Sequence, residues 1–160
     1  MSSITQQQLI CLLQKAYSGE LAAAYAYRGH WKSVKNSTEK EKIFQIEQDE
    51  WNHREKVSAL LQSLNAQPLK RREIIFKWMG RAIGFLCHFT GWFFPMFFAG
   101  KVETRNVKEY DTAALVAREL GLVHLETELS HMASVEKEHE VFFLGLAARH
   151  RFFPLMQKIF

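Results

Sequence analysis

The chain has 160 residues, with 21 Lys and Arg against 17 Asp and Glu, a formal charge of +4 and 48% hydrophobic residues. That length suits one domain, 1–160, with a sizeable core. Three prolines, eight glycines and long periodic apolar runs point to an all-α fold, while two cysteines, Cys11 and Cys87, form no Cys-x-x-Cys pair and suggest no disulfide framework, which fits a reducing cytoplasm.

The first helix is predicted from about residue 5 to 34, where Leu9, Leu13, Ala16, Glu20, Ala23 and Tyr27 recur at steps of three and four and so line one face. That seam carries a glutamate where leucine is expected. The first twenty residues lack the basic start and apolar run of a secretory signal. Ser37 or Thr38 is the expected cap of the second helix, with Thr38 and Glu41 as a capping box, and Asn65-Ala66-Gln67-Pro68 ends it. Its seam is Ile43, Ile46, Glu50, His53, Val57 and Leu60. Glu50-Trp51-Asn52-His53 therefore aims a carboxylate and an imidazole at the core.

Residues 66–87 read as an amphipathic crossover. Lys70, Arg71, Arg72, Lys77 and Arg81 are interleaved with Ile74, Ile75, Phe76, Trp78, Met79 and Ile83, the composition of a segment lying in a bilayer interface. Ile83 to Gly100 then contains no Asp, Glu, Lys or Arg, a length that only just reaches a membrane span. Because Glu103 follows at once, a buried bundle helix with an exposed apolar start is preferred, and Gly91 and Pro95 are expected to bend it. The third-helix seam is His88, Trp92, Ala99, Glu103, Asn106, Tyr110 and Ala113, with His88 read as a satisfied interior histidine. Gly121 is the expected turn into the fourth helix, whose seam is Leu125, Leu129, Met132, Glu136, His139, Phe143 and Leu146. Glu136-Lys137-Glu138-His139 repeats the Glu-x-x-His pattern there. A third copy, Glu128-Leu129-Ser130-His131, falls off the seam and is expected at a solvated edge. The basic, aromatic tail 149–160 is either a second membrane contact or a segment folded over the bundle end.

Glu20 and Glu50 are 30 positions apart around the first turn, and Glu103 and Glu136 are 33 apart around Gly121. Two antiparallel hairpins joined by the long crossover would bring all four level inside a four-helix bundle. Burying an ionised carboxylate without a partner is expensive, and no lysine or arginine lies on these seams. Metal cations are the economical counter-charge. Two single-glutamate helices plus two Glu-x-x-His helices are the ligand set of ferritin-like di-iron or di-manganese proteins. Oxygen and imidazole donors suit two iron ions, with manganese left open. Glu50 and Glu136 are expected to bridge, Glu20 and Glu103 to complete one end each, and His53 and His139 to bind one metal each. Asn106 and Tyr110, one and two turns from Glu103, are candidates for contact with the ligands or the substrate. His30, His124 and His150 have no spacing that gives them a part. On this reading Glu136→Ala should leave the metal-free fold no less stable, by relieving repulsion among buried carboxylates.

With these residues in place the sequence resembles the ferritin-like superfamily, and within it the demethoxyubiquinone hydroxylase family of membrane-associated di-iron monooxygenases. Ser18-Gly19-Glu20 is similar to that family's Gly-Glu in helix one. Trp78-Met79-Gly80, with Gly84 and Gly91, is similar to its glycine-spaced approach to helix three, and Val102-Glu103 with Tyr110 to its third-helix segment. Thr104 follows Glu103 where the family tends to carry another acidic residue, and the neighbours of Glu136 differ as well. The resemblance implies that Glu20, Glu50, His53, Glu103, Glu136 and His139 are iron ligands. It further implies an O2-dependent hydroxylase, peripheral on the inner face of the membrane, whose lipophilic, quinone-like substrate meets the protein around residues 72–98. Electrons would come from an external donor.

Two other classes fit less of the pattern. A rubrerythrin- or bacterioferritin-like iron-binding or peroxide-reducing protein would share the ligands, but a self-contained rubrerythrin needs the missing Cys-x-x-Cys module. A non-catalytic, membrane-associated helical bundle would leave the glutamates solvated, against their seam positions. With 13 Phe and 4 Trp, many beside Lys or Arg, the basic surface favours lipid over nucleic acid, for which no recognition motif is present. The sequence leaves a homo-oligomer open.

Overall fold

Local chemistry sets where each helix starts and stops in the computed structural model, which describes residues 5–160; residues 1–4 of the expected 1–160 domain lie outside the described residues. Thr5 opens α1 (Gln6–Ser33) as a reciprocal cap: its Oγ1 accepts from the Gln8 N–H, and its own N–H donates to Gln8 Oε1 at 2.8 Å. α2 (Ser37–Ser63) is capped by Asn36, whose Oδ1 accepts from the Glu39 N–H at 3.0 Å, and not by Ser37 or Thr38. The backbone is extended at Asn36, as a cap requires, and Asn serves there at least as well as Thr. Thr38 is thereby drawn inside the helix. Asn65, at φ 55°, ends α2, and the Ala66 N–H reaches back to Leu61 O at 2.9 Å. Gly121, at φ 71°, closes α4 (Phe93–Glu119) in the same way, with the Leu122 N–H on Ala117 O at 2.9 Å, before α5 (Val123–Ala147) begins.

These tight ends make α1 with α2, and α4 with α5, antiparallel hairpins, and contacts of α1 with α4 and of α2 with α5 join them into a four-helix bundle. The crossover is itself helical. α3 (Lys70–Leu86) lies along α1 so closely that a Cβ on Gly80 would sit 2.3 Å from Ala22 O, and one on Gly29 2.2 Å from Gly84 O. Only residues without side chains permit that approach. The other face of α3 leaves Ile74, Ile75, Trp78 and Phe85 in solvent. No helix among the described residues is long and apolar enough to cross a membrane.

The expected continuous third helix from Ile83 is broken in two. α3 stops at Leu86, residues 87–92 form a turn with Gly91 at φ 75°, and α4 starts at Phe93 with Pro95 in its first turn. A left-handed residue interrupts the helical path outright, while a first-turn proline gives up an N–H that had no helical partner. The break turns His88 to solvent, not into the interior, and puts Trp92 ahead of the helix, partly exposed. At the chain's end, α6 (Phe153–Ile159) folds over the start of α4. Phe153 and Phe160 meet Phe97 edge-on, and His150 stacks on Phe93 at 4.4 Å, while Leu155 and Ile159 remain exposed.

The core has two apolar layers. Leu9, Leu13, Val57, Leu61, Leu129 and Met132 belong to one, and Ile43, Ile46, Met96, Phe97 and Phe143 to the other. Along every long helix the seam glutamate falls between residues of these two layers, at the middle of the bundle.

Candidate metal centre

Six glutamates are buried among the described residues, and they divide by partner. Glu47 accepts from Arg28 Nε at 2.8 Å, Trp31 Nε1 at 2.7 Å and Trp51 Nε1 at 3.2 Å. Glu140 accepts from Thr104 Oγ1 at 2.8 Å and pairs with Lys137. Both are structural carboxylates with their charge answered. Glu20, Glu50, Glu103 and Glu136 have no lysine or arginine partner among the described residues and lie together.

Each comes from a different long helix, because each occupies its helix's buried seam. Ligand-capable atoms of Glu20, Glu50, His53 and Glu136 all lie within 4.8 Å of one another, and so do those of Glu50, Glu103, Glu136 and His139. Glu50 and Glu136 belong to both groups. All six residues singled out in the sequence are thus brought together. Among the described residues, Glu20 Oε2, both oxygens of Glu50, Glu136 Oε2 and His139 Nδ1 have no hydrogen-bond partner. A fold that leaves so many buried polar atoms unsatisfied loses free energy at each of them, unless something else binds there. Hard oxygen donors and imidazole nitrogen, converging in two overlapping sets, fit a pair of divalent or trivalent metal ions.

A further layer of side chains holds this cluster from outside. Tyr110 donates its hydroxyl hydrogen to Glu20 Oε1, and Asn106 Nδ2 donates to Glu103 Oε2 at 3.0 Å. Two more holders were not singled out in the sequence. Tyr27 donates to Glu103 Oε1, and Asp49 Oδ2 lies 3.1 Å from His139 Nε2, fixing that imidazole with Nδ1 toward Glu50 and Glu136. Tyr27 could have been found, since it follows Glu20 by seven residues as Tyr110 follows Glu103. Asp49 is partly exposed and off the seam, and only the approach of α5 gives it a partner.

The other histidines stay apart. His30 is buried, stacked on Phe143 at 5.7 Å, and burial pushes it down to about 4, so it is a neutral interior residue outside the cluster. His131 of the third Glu-x-x-His copy is exposed, and its Glu128 pairs with Lys56 at 3.8 Å.

Electrostatics follow from crowding. Burial, and then the charge of Glu136, holds Glu50 and Glu103 well above the usual carboxylate range, and burial raises Glu20 as well. Glu136 goes the other way: burial opposes its ionisation, but the neighbouring imidazoles of His139 and His53, the latter hydrogen-bonded at 2.8 Å, bring it below its usual range. In return His139 rises to about 9 against the cost of its burial, held by Asp49 and Glu136. Without metal the cluster therefore keeps protons that cations would displace.

A family model described as ubiquinone biosynthesis protein COQ7 matches residues 7–114, which include Glu20, Glu50, His53, Glu103, Asn106 and Tyr110. Glu136 and His139 lie beyond the match, and their place in the cluster is given by the geometry of α5. No curated protein and no solved structure matches the chain. Matched over more than half its length, and built as a helical bundle around paired carboxylates, the chain belongs to the COQ7 ubiquinone biosynthesis family of ferritin-like proteins.

Proposed function

We propose that this chain is a di-iron, O2-dependent hydroxylase acting on a lipophilic, quinone-like ring at a membrane surface. The observation that carries the proposal is the set of buried carboxylate and imidazole atoms without partners at the centre of the bundle. Glu20 and His53 would hold one metal and Glu103 and His139 the other, with Glu50 and Glu136 shared between them; manganese would fit the same donors. The chemistry such a pair supplies when bound is O2 activation with electrons from an external donor. In the overall reaction a ring C–H, O2, two electrons and two protons become C–OH and water.

The chain's own residues provide the setting. The two apolar layers on either side of the carboxylates keep water from the centre. Tyr27 and Tyr110 orient the terminal carboxylates and stay protonated, since burial and nearby carboxylates hold both phenols well above their ordinary range. The exposed apolar face of α3, among Lys70, Arg71, Lys77 and Arg81, supports contact with an anionic membrane, from which a lipophilic substrate would arrive.

The test is metal analysis by mass spectrometry on full-length protein from iron-supplemented cells, followed by turnover with a short-tailed quinone precursor, a reductant and O2. About two irons per chain and a ring-hydroxylated product are expected. Iron-loaded protein that consumes H2O2 with a simple reductant, yet yields no organic product, would overturn the hydroxylase reading in favour of a peroxide-reducing one.

A further inference from the structure

The two halves of the bundle repeat one another closely enough that their differences can be read. Glu20 is followed seven residues later by Tyr27, and Glu103 by Tyr110, and each tyrosine bonds the other half's glutamate. At two further places the repeat fails. Three residues after Glu103 stands Asn106, which donates to Glu103 Oε2; three residues after Glu20 stands Ala23, which has nothing to donate. Just before Glu50 stands Asp49, which holds His139; just before Glu136 stands Val135, which cannot hold His53.

Both departures favour the same half. Among the described residues Glu103 has a donor on each oxygen, while Glu20 has one on Oε1 and none on Oε2. His139 is fixed from behind through Nε2, whereas His53 Nε2 has no hydrogen bond among the described residues. A carboxylate oxygen that accepts one hydrogen bond keeps a lone pair for a cation, so these contacts orient the donors without consuming them.

We infer that the two metal positions are unequal: the Glu103/His139 position is assembled in advance by Asn106 and Asp49 and fills first, while the Glu20/His53 position is adjustable and fills second. The inference rests on the dinuclear reading above and adds an order to it. Outer partners of this kind are worth about 10–100-fold in metal affinity, so the first ion should bind at least about tenfold more tightly than the second.

The probe is Mn(II), added stepwise to metal-free full-length protein and followed by electron paramagnetic resonance, with far-ultraviolet dichroism confirming that each variant is folded. Wild type should show an isolated-ion signal up to one equivalent and a coupled-pair signal only with the second. Glu20→Gln should retain the first equivalent at wild-type affinity, and Glu103→Gln should weaken it by about tenfold or more. Asn106→Ala with Asp49→Ala should bring the two affinities to within about threefold; should that double variant unfold, the wild-type titration and Glu20→Gln still decide. A coupled signal from the first addition, or loss of the tight equivalent in Glu20→Gln, overturns the order while leaving a dinuclear site. Wild type that binds neither Mn(II) nor Fe(II) overturns both readings.

Discussion

Tyr27 on α1 donates its hydroxyl hydrogen to Glu103 on α4, and Tyr110 on α4 donates back to Glu20 on α1. The two bonds cross between hairpins that are otherwise joined through the core, at the depth where apolar packing is interrupted by carboxylates. Each gives one buried oxygen a hydrogen bond, where no lysine or arginine among the described residues does so. Tyr27→Phe should therefore cost about 1–3 kcal/mol of metal-free stability, the penalty of stranding a buried acceptor. Urea denaturation of the metal-free variant measures this, and stability equal to wild type would show that the bond contributes nothing.

Glu50 and Glu136 should respond oppositely to neutralisation. Sequence alone leads one to expect relief of repulsion at Glu136, but His53 Nδ1 lies 2.8 Å from its Oε1, so Glu136 is the partnered carboxylate of the metal-free cluster. Removing it strands the His53 imidazole. Glu50 has no hydrogen bond on either oxygen among the described residues and is raised by burial and by its neighbours. Each pH unit of such a rise is worth about 1.4 kcal/mol. Glu50→Gln should accordingly stabilise metal-free protein by about 1 kcal/mol or more, and Glu136→Gln should destabilise it, while both lose metal. Thermal melts of the two metal-free variants beside wild type give the signs directly.

Metal-free protein should lose stability as pH rises, in contrast to most globular proteins. Glu20, Glu50 and Glu103 have folded-state values above the ordinary 4.5, so their contribution is complete below that value and is lost as pH climbs through the raised ones. His139, raised to about 9 from 6.5, adds a loss between those two values. His30 acts in the other direction: lowered to about 4, it contributes above pH 6.5 and loses that contribution as pH falls. Three losses that begin above 4.5 outweigh the one His30 gain that ends at 6.5, so the optimum should lie at about pH 5, with a decline toward pH 9. Bound metal replaces the protons and should flatten the alkaline side. Denaturant midpoints from about pH 4 to 9, with and without metal, test both limbs.

The bundle and its six central residues were legible because burial writes itself into sequence as a period of three and four, and a glutamate on that period stands out. What escaped legibility depends on contacts between helices, or on local competition. Asp49 gains its partner only when α5 packs on α2, and Asn36 won the cap from a Thr38–Glu41 pattern that looks equally good in one dimension. The break at residues 87–92 was hidden by an unbroken uncharged run, because composition cannot show that Gly91 adopts φ 75°. His88 was misplaced for the same reason: a seam extrapolated through a break continues onto the wrong surface.

Ile75 and Trp78 on α3 are 64% and 63% exposed, and Arg81 lies over the Trp78 ring at 5.4 Å. Gly80 and Gly84 hold the opposite face against α1, so the apolar side chains cannot turn inward without separating the two backbones. Exposed aromatic and aliphatic groups beside basic ones bind anionic bilayers by inserting the ring while the cations meet the headgroups. The doubly substituted Ile75→Glu/Trp78→Glu chain loses insertion and brings two like charges to the surface, yet touches neither core layer nor the carboxylate cluster. Wild type should co-sediment with vesicles rich in phosphatidylglycerol, more weakly with phosphatidylcholine alone, and the double variant should lose at least about tenfold in partitioning. Its helicity, melting temperature and metal content should match wild type. Unchanged sedimentation with an intact fold would remove α3 as the membrane-facing element and leave the exposed residues of α6, Leu155 and Ile159, to be tested in its place.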